Sequence, residues 1–315
     1  MPNRQLELFP IPPAEERVHK YPGLTGSSTL HKALQAYHAH MLKQELSHHT
    51  VKAFDSDLRL LARFLGARRL IGDIHTSQLE AFLRYLQYER KVPCKPKSLA
   101  RRLTALKVFF SWLAEEGVIA SDPAAPLIHR KVKTPLPRVL SDQSVADLLS
   151  ATERWRRDPD TPDARPHLLV TLLLNTGLKK GECMNIDLSD IDVSNPRAAS
   201  VFVRYESARQ RFKERKLRLP PPFCTVFPEY VAQYQPEAKL FECTARNLEY
   251  VLDEAEKRAG LPVRSVSFEI LRWTCAVRDL KRGMDEDALR RKLGLSHITW
   301  ADTLEKLRVL VQPAL

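Results

Sequence analysis

The sequence predicts a mainly α-helical protein with one small β-hairpin, an α+β architecture in two domains. Three observations carry that expectation. Apolar residues recur at spacings of three and four over most of the chain, the period of helices buried on one face. One stretch alternates instead: Val201, Val203 and Tyr205 precede a polar turn, 206–213, and Leu217 and Leu219 follow it. A Pro- and Lys-rich stretch around 129–138 interrupts both patterns and reads as a linker.

Taken in order, residues 1–27 are Pro-rich and aperiodic, so a flexible tail is expected. Leu30, Leu34, Tyr37 and Met41 mark a first helix, and Val51, Phe54, Leu58 and Leu61 a second. Ser77 and Glu80 form a capping box for a third, with Leu79, Phe82, Leu83 and Leu86 on one face. Leu99, Leu103, Leu106, Phe110 and Leu113 mark a fourth that stops before Gly117. Together these make a small helical domain over 28–127. A basic linker over 128–140 follows. The second domain, 141–315, starts where Ser141 caps a helix through Val145, Leu148 and Leu149. A helix near 166–176 stops at Gly177. After the hairpin, Thr244 starts a helix through Leu248, Val251, Leu252 and Ala255, closed by Gly260. Further helices are expected over about 267–282, 285–294 and 299–311.

Composition narrows the function classes. The longest apolar runs, such as Leu168–Leu174, are far too short to span a bilayer, so no membrane partner is expected. The N-terminus does not read as a signal peptide. Cys94, Cys183, Cys224, Cys243 and Cys275 stand singly and read as reduced thiols rather than a disulfide or zinc framework. A cytoplasmic, nucleoid-associated protein is the expectation. The net charge of +12 favours polyanionic partners, nucleic acid first.

Five segments sharpen this reading. SHHTVKAFDSDLRLLARFL (47–65), KSLARRLTALKVFFSWLAEEGVIASDPAAPL (97–127), NTGLKKGECMNIDLSDID (175–192), VFVRYESARQRFKERKLRLP (201–220) and SFEILRWTCAVRDLKRGMDEDALRRKLGLSHITWADTL (267–304) lie in this order. Each resembles a motif of the tyrosine recombinase (phage integrase, Xer-like) family, and the order and spacing match too. The resemblance implies an N-terminal helical core-binding (SAM-like) domain and a C-terminal recombinase catalytic-like domain, forming a C-shaped clamp on duplex DNA. It implies no metal or other cofactor.

The family's chemistry explains its residue types. Two arginines bind the oxygens of a phosphorane-like transition state through planar forks. A lysine on the hairpin turn protonates the leaving oxygen, histidines add donors, and a tyrosine attacks the phosphate. Carried over residue by residue, Lys179 stands at the first arginine and Gln210 at the turn lysine, with Arg209, Arg211 or Lys213 as alternatives of register. Glu269 stands at the first histidine and Arg272 at the second arginine. Trp273 takes the place of the neighbouring histidine, Leu295 that of the LGH histidine and Leu304 that of the tyrosine. All eight tyrosines lie at or before Tyr250. Ser296, Thr299 and Thr303 offer hydroxyls nearby, but without a base or an oxyanion clamp. The expectation from these departures is a protein that is not an enzyme, a recombinase-like DNA-binding protein acting as an accessory, architectural or regulatory factor in DNA recombination or a mobile element. Its partners would be duplex DNA and an active recombinase or further copies of itself. The alternatives are an active recombinase with a rearranged or trans-supplied active site, and a protein-interaction module that has lost DNA binding.

The resemblance also names the DNA-facing residues. They are His49, Thr50, Lys52 and Arg59 on the second helix, and Lys95, Lys97, Ser98, Arg101 and Arg102 on the fourth. Lys131, Lys133 and Arg138 lie in the linker, and Lys179, Arg209, Arg211, Lys213, Arg215 and Arg272 surround the degenerate centre. Trp273 and Trp300 are expected to pack between C-terminal helices rather than stack on bases. His297 reads as a helix-start residue. In the tail, Gln5, Leu6, Leu8 and Phe9 match the pentapeptide with which bacterial proteins dock on the replicative sliding clamp, which adds that clamp as a candidate partner.

Overall fold

Among the described residues, one hydrophobic core forms in the N-terminal unit, and a large and a small one form in the C-terminal unit. The computed structural model describes residues 21, 23–128 and 135–312, and not the side chain of Arg209. The tail motif of Gln5, Leu6, Leu8 and Phe9 and the linker cations Lys131 and Lys133 lie outside the described residues. Contacts divide the chain at Thr134/Pro135.

The N-terminal unit is built from α1 (Leu30–Lys43), α2 (His48–Leu65), α3 (Thr76–Arg84) and α4 (Pro96–Glu115). Thr29 and Ser47 cap α1 and α2 through their side chains, accepting from the N–H groups of Lys32 and Thr50. The core is aromatic where α1 meets α4: the Tyr37 ring lies 5.2 Å from Phe109 and 5.1 Å from Trp112. This unit begins earlier than the sequence pattern suggests. Leu24 is buried, and the Tyr21 hydroxyl lies 2.7 Å from His40 Nδ1. The backbones of Gly26 and Gly72 meet directly, with the Gly72 N–H donating to Gly26 O at 2.8 Å. A Cβ on Gly72 would sit 2.9 Å from that oxygen, so only glycine fits. The start of α3 also differs from expectation. His75, not Ser77, is the N-cap, and its N–H donates to Gln78 Oε1 at 3.0 Å. Thr76 instead reaches across the unit to Pro123 O at 2.8 Å.

The C-terminal unit comprises α5 (Asp142–Arg156), α6 (Arg165–Thr176), α7 (Lys180–Met184), a three-stranded antiparallel sheet, and α8 to α12. The strands are β1 (Ile191–Asp192), β2 (Ser200–Val203) and β3 (Arg215–Arg218), with Val201 opposite both Ile191 and Leu217. Val201, Val203 and Leu217 face the core, as their alternation requires. Tyr205 and Leu219 fall just outside the strands, and the connecting turn is a 3-10 segment, Ala208–Lys213. Apolar α6 is buried almost all round and carries α5, α8 and α10 on its flanks. It ends at Gly177 with φ 62°, the left-handed conformation expected of a glycine there.

Helix α8 (Pro221–Tyr234) has no counterpart in the sequence reading. Three prolines at its start and Pro228 inside it mask the helical period. Pro221 and Pro222 nevertheless suit a first turn, where N–H groups lack partners anyway. Phe223, Val226 and Tyr230 anchor it, and the Tyr230 hydroxyl donates to Leu240 O at 2.6 Å. The remaining helices are α9 (Ala245–Arg258), α10 (Phe268–Lys281), α11 (Glu286–Lys292) and α12 (His297–Val311), each capped by a Thr, Ser or Asp side chain. His297 is the exposed first residue of α12, as expected. Trp300 is buried in the cluster between the last helices, and Trp273 packs partly against it, which agrees with the packing role expected of both. Among the described residues no helix is long and apolar enough to cross a membrane.

One buried carboxylate fixes the approach to α10. Glu256 of α9 accepts the N–H groups of Arg264 at 2.8 Å, Ser265 at 2.7 Å and Val266 at 2.7 Å. Glu256→Ala would leave these donors without acceptors, at about 1–3 kcal/mol for each that stays buried. Urea unfolding of that variant should show a loss of at least about 2 kcal/mol, and a stability equal to wild type would refute this role.

Candidate nucleic-acid interface

The centre of the C-terminal unit is organised by Glu182, which is only 6% exposed. Just past Gly177 the chain turns into α7, and Lys179 is the N-cap. Its N–H donates to Glu182 Oε2 at 2.8 Å. Arg215 of β3 grips the same carboxylate with both terminal nitrogens, at 3.1 Å to Oε1 and 3.0 Å to Oε2. The Tyr205 hydroxyl donates to it as well. Burial disfavours the ionised acid, but Arg215, the Lys179 N–H and the Tyr205 hydroxyl outweigh that cost and hold the carboxyl below its usual range. The counterpart is Tyr205, pushed up to about 12 by burial and by its bond to this anion.

The two arginines also close helix ends. Arg215 Nε donates to Lys292 O at 2.6 Å, in the last turn of α11. Arg272, on α10, donates to Leu293 O at 2.6 Å and to Gly177 O, at the ends of α11 and α6. Cations thus meet carbonyls left unpaired by helix termination. Arg272 is 4.0 Å from Glu182 and largely buried, and burial lowers its pKa. Gly294 passes so close to Arg215 that a Cβ would lie 2.6 Å from Nη1.

A cleft of about 680 Å3 opens beside this network. Lys179, Lys180, Arg264, Glu269, Arg272 and Trp273 are among its walls. Lys179 is pushed down to about 8, by burial first and then by Arg272, Lys213 and Arg215, with Glu182 opposing. Of the positions carried over from the resemblance, Lys179, Glu269 and Arg272 meet at the cleft. Glu269 is exposed in the first turn of α10. Gln210 lies in the turn before β3, with exposed Arg211 and half-buried Lys213. Leu295 and Leu304 pack against the apolar cluster of the last helices. Arg138 is exposed, and it donates to Arg264 O at 3.4 Å.

In the N-terminal unit His49, Lys52 and Arg59 are exposed on α2, and Lys95 and Lys97 at the start of α4. Thr50 and Ser98 are half-buried. Arg101 and Arg102 are held differently from a free cationic face. Both bind buried Asp57, at 2.9 and 3.2 Å, and Arg102 also contacts Cys94 Sγ at 2.6 Å. The Arg102 side chain is 15% exposed and that of Arg215 is 9%. For these two the expected role of presenting charge to DNA gives way to neutralising a buried carboxylate. The residue that sequence reasoning passed over is Glu182. Its signal was available as an acidic residue three after Lys179 at a helix start, although only the fold brings Arg215 and Tyr205 to it.

The family model described as "Phage integrase, N-terminal SAM-like domain" matches residues 34–117. A tyrosine recombinase XerC of Mycobacterium sp. (strain JLS) is 32% identical over 153 residues, 49% of this chain and 51% of that protein. The chain thus spans about half the length of that relative. The tyrosine recombinase XerC of Staphylococcus saprophyticus is 27% identical over 290 residues, 87% of this chain and 91% of its own. Among solved structures, a lambda integrase dimer bound to a COC' core site superposes with a TM-score of 0.69 at 18% identity, covering 91% of this chain and 99% of that one. The Tn1549 transposon integrase in complex with a circular intermediate DNA gives 0.66 at 18%, covering 89% and 95%. At these identities the two structures share the fold. The relatives correct one expectation. Proteins named as tyrosine recombinases align along up to 87% of this chain, which overturns the reading of it as a non-enzyme. The residues present at Lys179, Glu269, Leu295 and Leu304 remain properties of the sequence within that family. The chain is thus similar to tyrosine recombinases along most of its length, and residues 34–117 match the phage integrase SAM-like domain.

Proposed function

We propose that this chain is a duplex-DNA-binding recombinase subunit that acts in DNA recombination as part of a larger assembly. It holds the duplex and one backbone phosphate, and the attacking hydroxyl comes from another subunit. The observation that carries the proposal is the convergence of Lys179, Lys180, Arg264 and Arg272 on one cleft, together with the exposed cations of α2 and α4. Phosphate contacts of this kind position a protein on DNA without reading its sequence.

The source of the hydroxyl follows from the local bonding. No tyrosine lies between Val251 and Leu315. Ser296 caps α12 by accepting the Thr299 N–H, and its hydroxyl lies 3.1 Å from that of Thr299. The Thr303 hydroxyl donates to Thr299 O at 2.9 Å. These hydroxyls are engaged in building the helix. A neighbouring recombinase or a second copy would complete the centre. The lambda and Tn1549 integrases, which share the fold, are described as DNA-bound, the former as a dimer and as a tetramer on a Holliday junction.

DNA affinity should fall steeply with salt, by a slope near the number of phosphates neutralised. Reversing Lys52, Arg59 and Lys97 to Glu together tests the surface without touching the Asp57 pairs. That triple variant should lose at least about tenfold in duplex affinity at moderate salt while keeping its melting temperature. Unchanged affinity would remove α2 and α4 from the interface, and no binding by the wild type would favour a protein-interaction role. A pH dependence follows from Lys179. Its ammonium is charged below about 8 and neutral above, so duplex affinity should weaken between pH 7 and 9. Lys179→Arg should flatten that decline, and an identical decline in the variant would show that Lys179 does not touch the phosphate.

A further inference from the structure

The turn between β2 and β3 carries an aromatic side chain that the fold does not use. Phe212 is 68% exposed and belongs to no hydrophobic cluster. It follows exposed Arg211 and precedes Lys213 in the 3-10 segment Ala208–Lys213. The Lys213 ammonium lies 5.2 Å from the Phe212 ring and 5.8 Å from the Tyr205 ring, so one cation bridges the two aromatic groups. Tyr205 in turn is bonded to Glu182. A series of contacts therefore runs from buried Glu182 to an exposed ring.

Other exposed apolar residues lie away from this turn, among them Tyr88, which is 71% exposed just past α3. Val263 and Ile298 are single aliphatic residues without a π-face. Tyr250 lies beneath Arg246, which also donates to its hydroxyl at 2.8 Å. Phe212 combines exposure, a flat ring and flanking cations on a turn that leads into the network beside the cleft. Such a combination suits a nucleic-acid base. The cations hold phosphates on either side, and the ring stacks on a base that has left its pair.

We propose that Phe212 is a base-stacking residue that engages an unpaired or unstacked DNA base, giving this chain a preference for locally opened duplex over intact duplex. The inference rests on the DNA-binding function proposed above. It adds a ligand chemistry, the exposed face of a nucleobase, at a position outside the family-derived site residues.

The test compares an intact duplex with the same duplex carrying a short unpaired bubble, labelled by 2-aminopurine in the bubble. The wild type should bind the bubble more tightly and quench the label. Phe212→Ala should lose about tenfold in bubble affinity, and most of the quenching, while intact-duplex affinity changes less than about twofold. Phe212→Trp should restore both. Equal bubble binding and quenching by wild type and Phe212→Ala would overturn the proposal while leaving duplex binding in place. Wild type that binds neither DNA would overturn the DNA-binding reading and this inference with it. Because the ring is exposed, melting temperatures should match, and a lowered one in Phe212→Ala would assign the residue a structural role instead.

Discussion

The pairing of buried Glu182 with Arg215 is the constraint on which the C-terminal unit depends. A carboxylate this far from water is costly unless its charge and lone pairs are met. Arg215, the Lys179 N–H and the Tyr205 hydroxyl meet them. That one group therefore fixes the start of α7, the entry to β3 and the residue leading into the hairpin turn. Arg215 and Arg272 extend the order to the ends of α6 and α11 through backbone carbonyls. Removing the carboxylate would leave a buried guanidinium without its counter-ion, which in buried pairs generally costs more than the pair contributes.

The same arrangement explains the electrostatics of the cleft. Burial first, and then Arg272, Lys213 and Arg215, lower the pKa of Lys179, while Glu182 raises it. Exposed Glu269 lies in the first turn of α10, and a helix N-terminus tolerates that carboxylate through its own dipole. Glu249 and Asp253 also line the cleft, and Lys180 is paired with Glu249 at 2.9 Å, so its walls carry both signs of charge. Leu295 and Leu304 serve the apolar cluster of the last helices.

Much of this was legible in the sequence, and the reasons for the remainder are physical. Helices with a clear apolar period and a capping Ser, Thr or Asp, such as α2, α5, α9 and α10, are readable because each signal is local. Gly177, Gly260 and Gly283 mark helix ends for the same reason, all with positive φ. Helix α8 was hidden because its prolines mimic a break, although Phe223, Val226 and Tyr230 carry the period. The roles of Arg102 and Arg215 were misread because a cation's partner depends on distant parts of the chain: Asp57 lies 45 residues from Arg102, and Glu182 lies 33 from Arg215. Sequence shows that charges are present, and only the fold shows which of them are already neutralised.

As proposed, this subunit grips DNA and receives its attacking hydroxyl from another. The most direct measurement incubates the protein, with and without an active recombinase of the same family, on a nicked suicide DNA substrate, and looks for covalent adducts under denaturing conditions. The account predicts an adduct only in the mixture, attached to the partner's tyrosine, at a yield that falls when Lys52, Arg59 and Lys97 are reversed in this chain. An adduct formed by this chain alone and mapped to one of its own residues would contradict it.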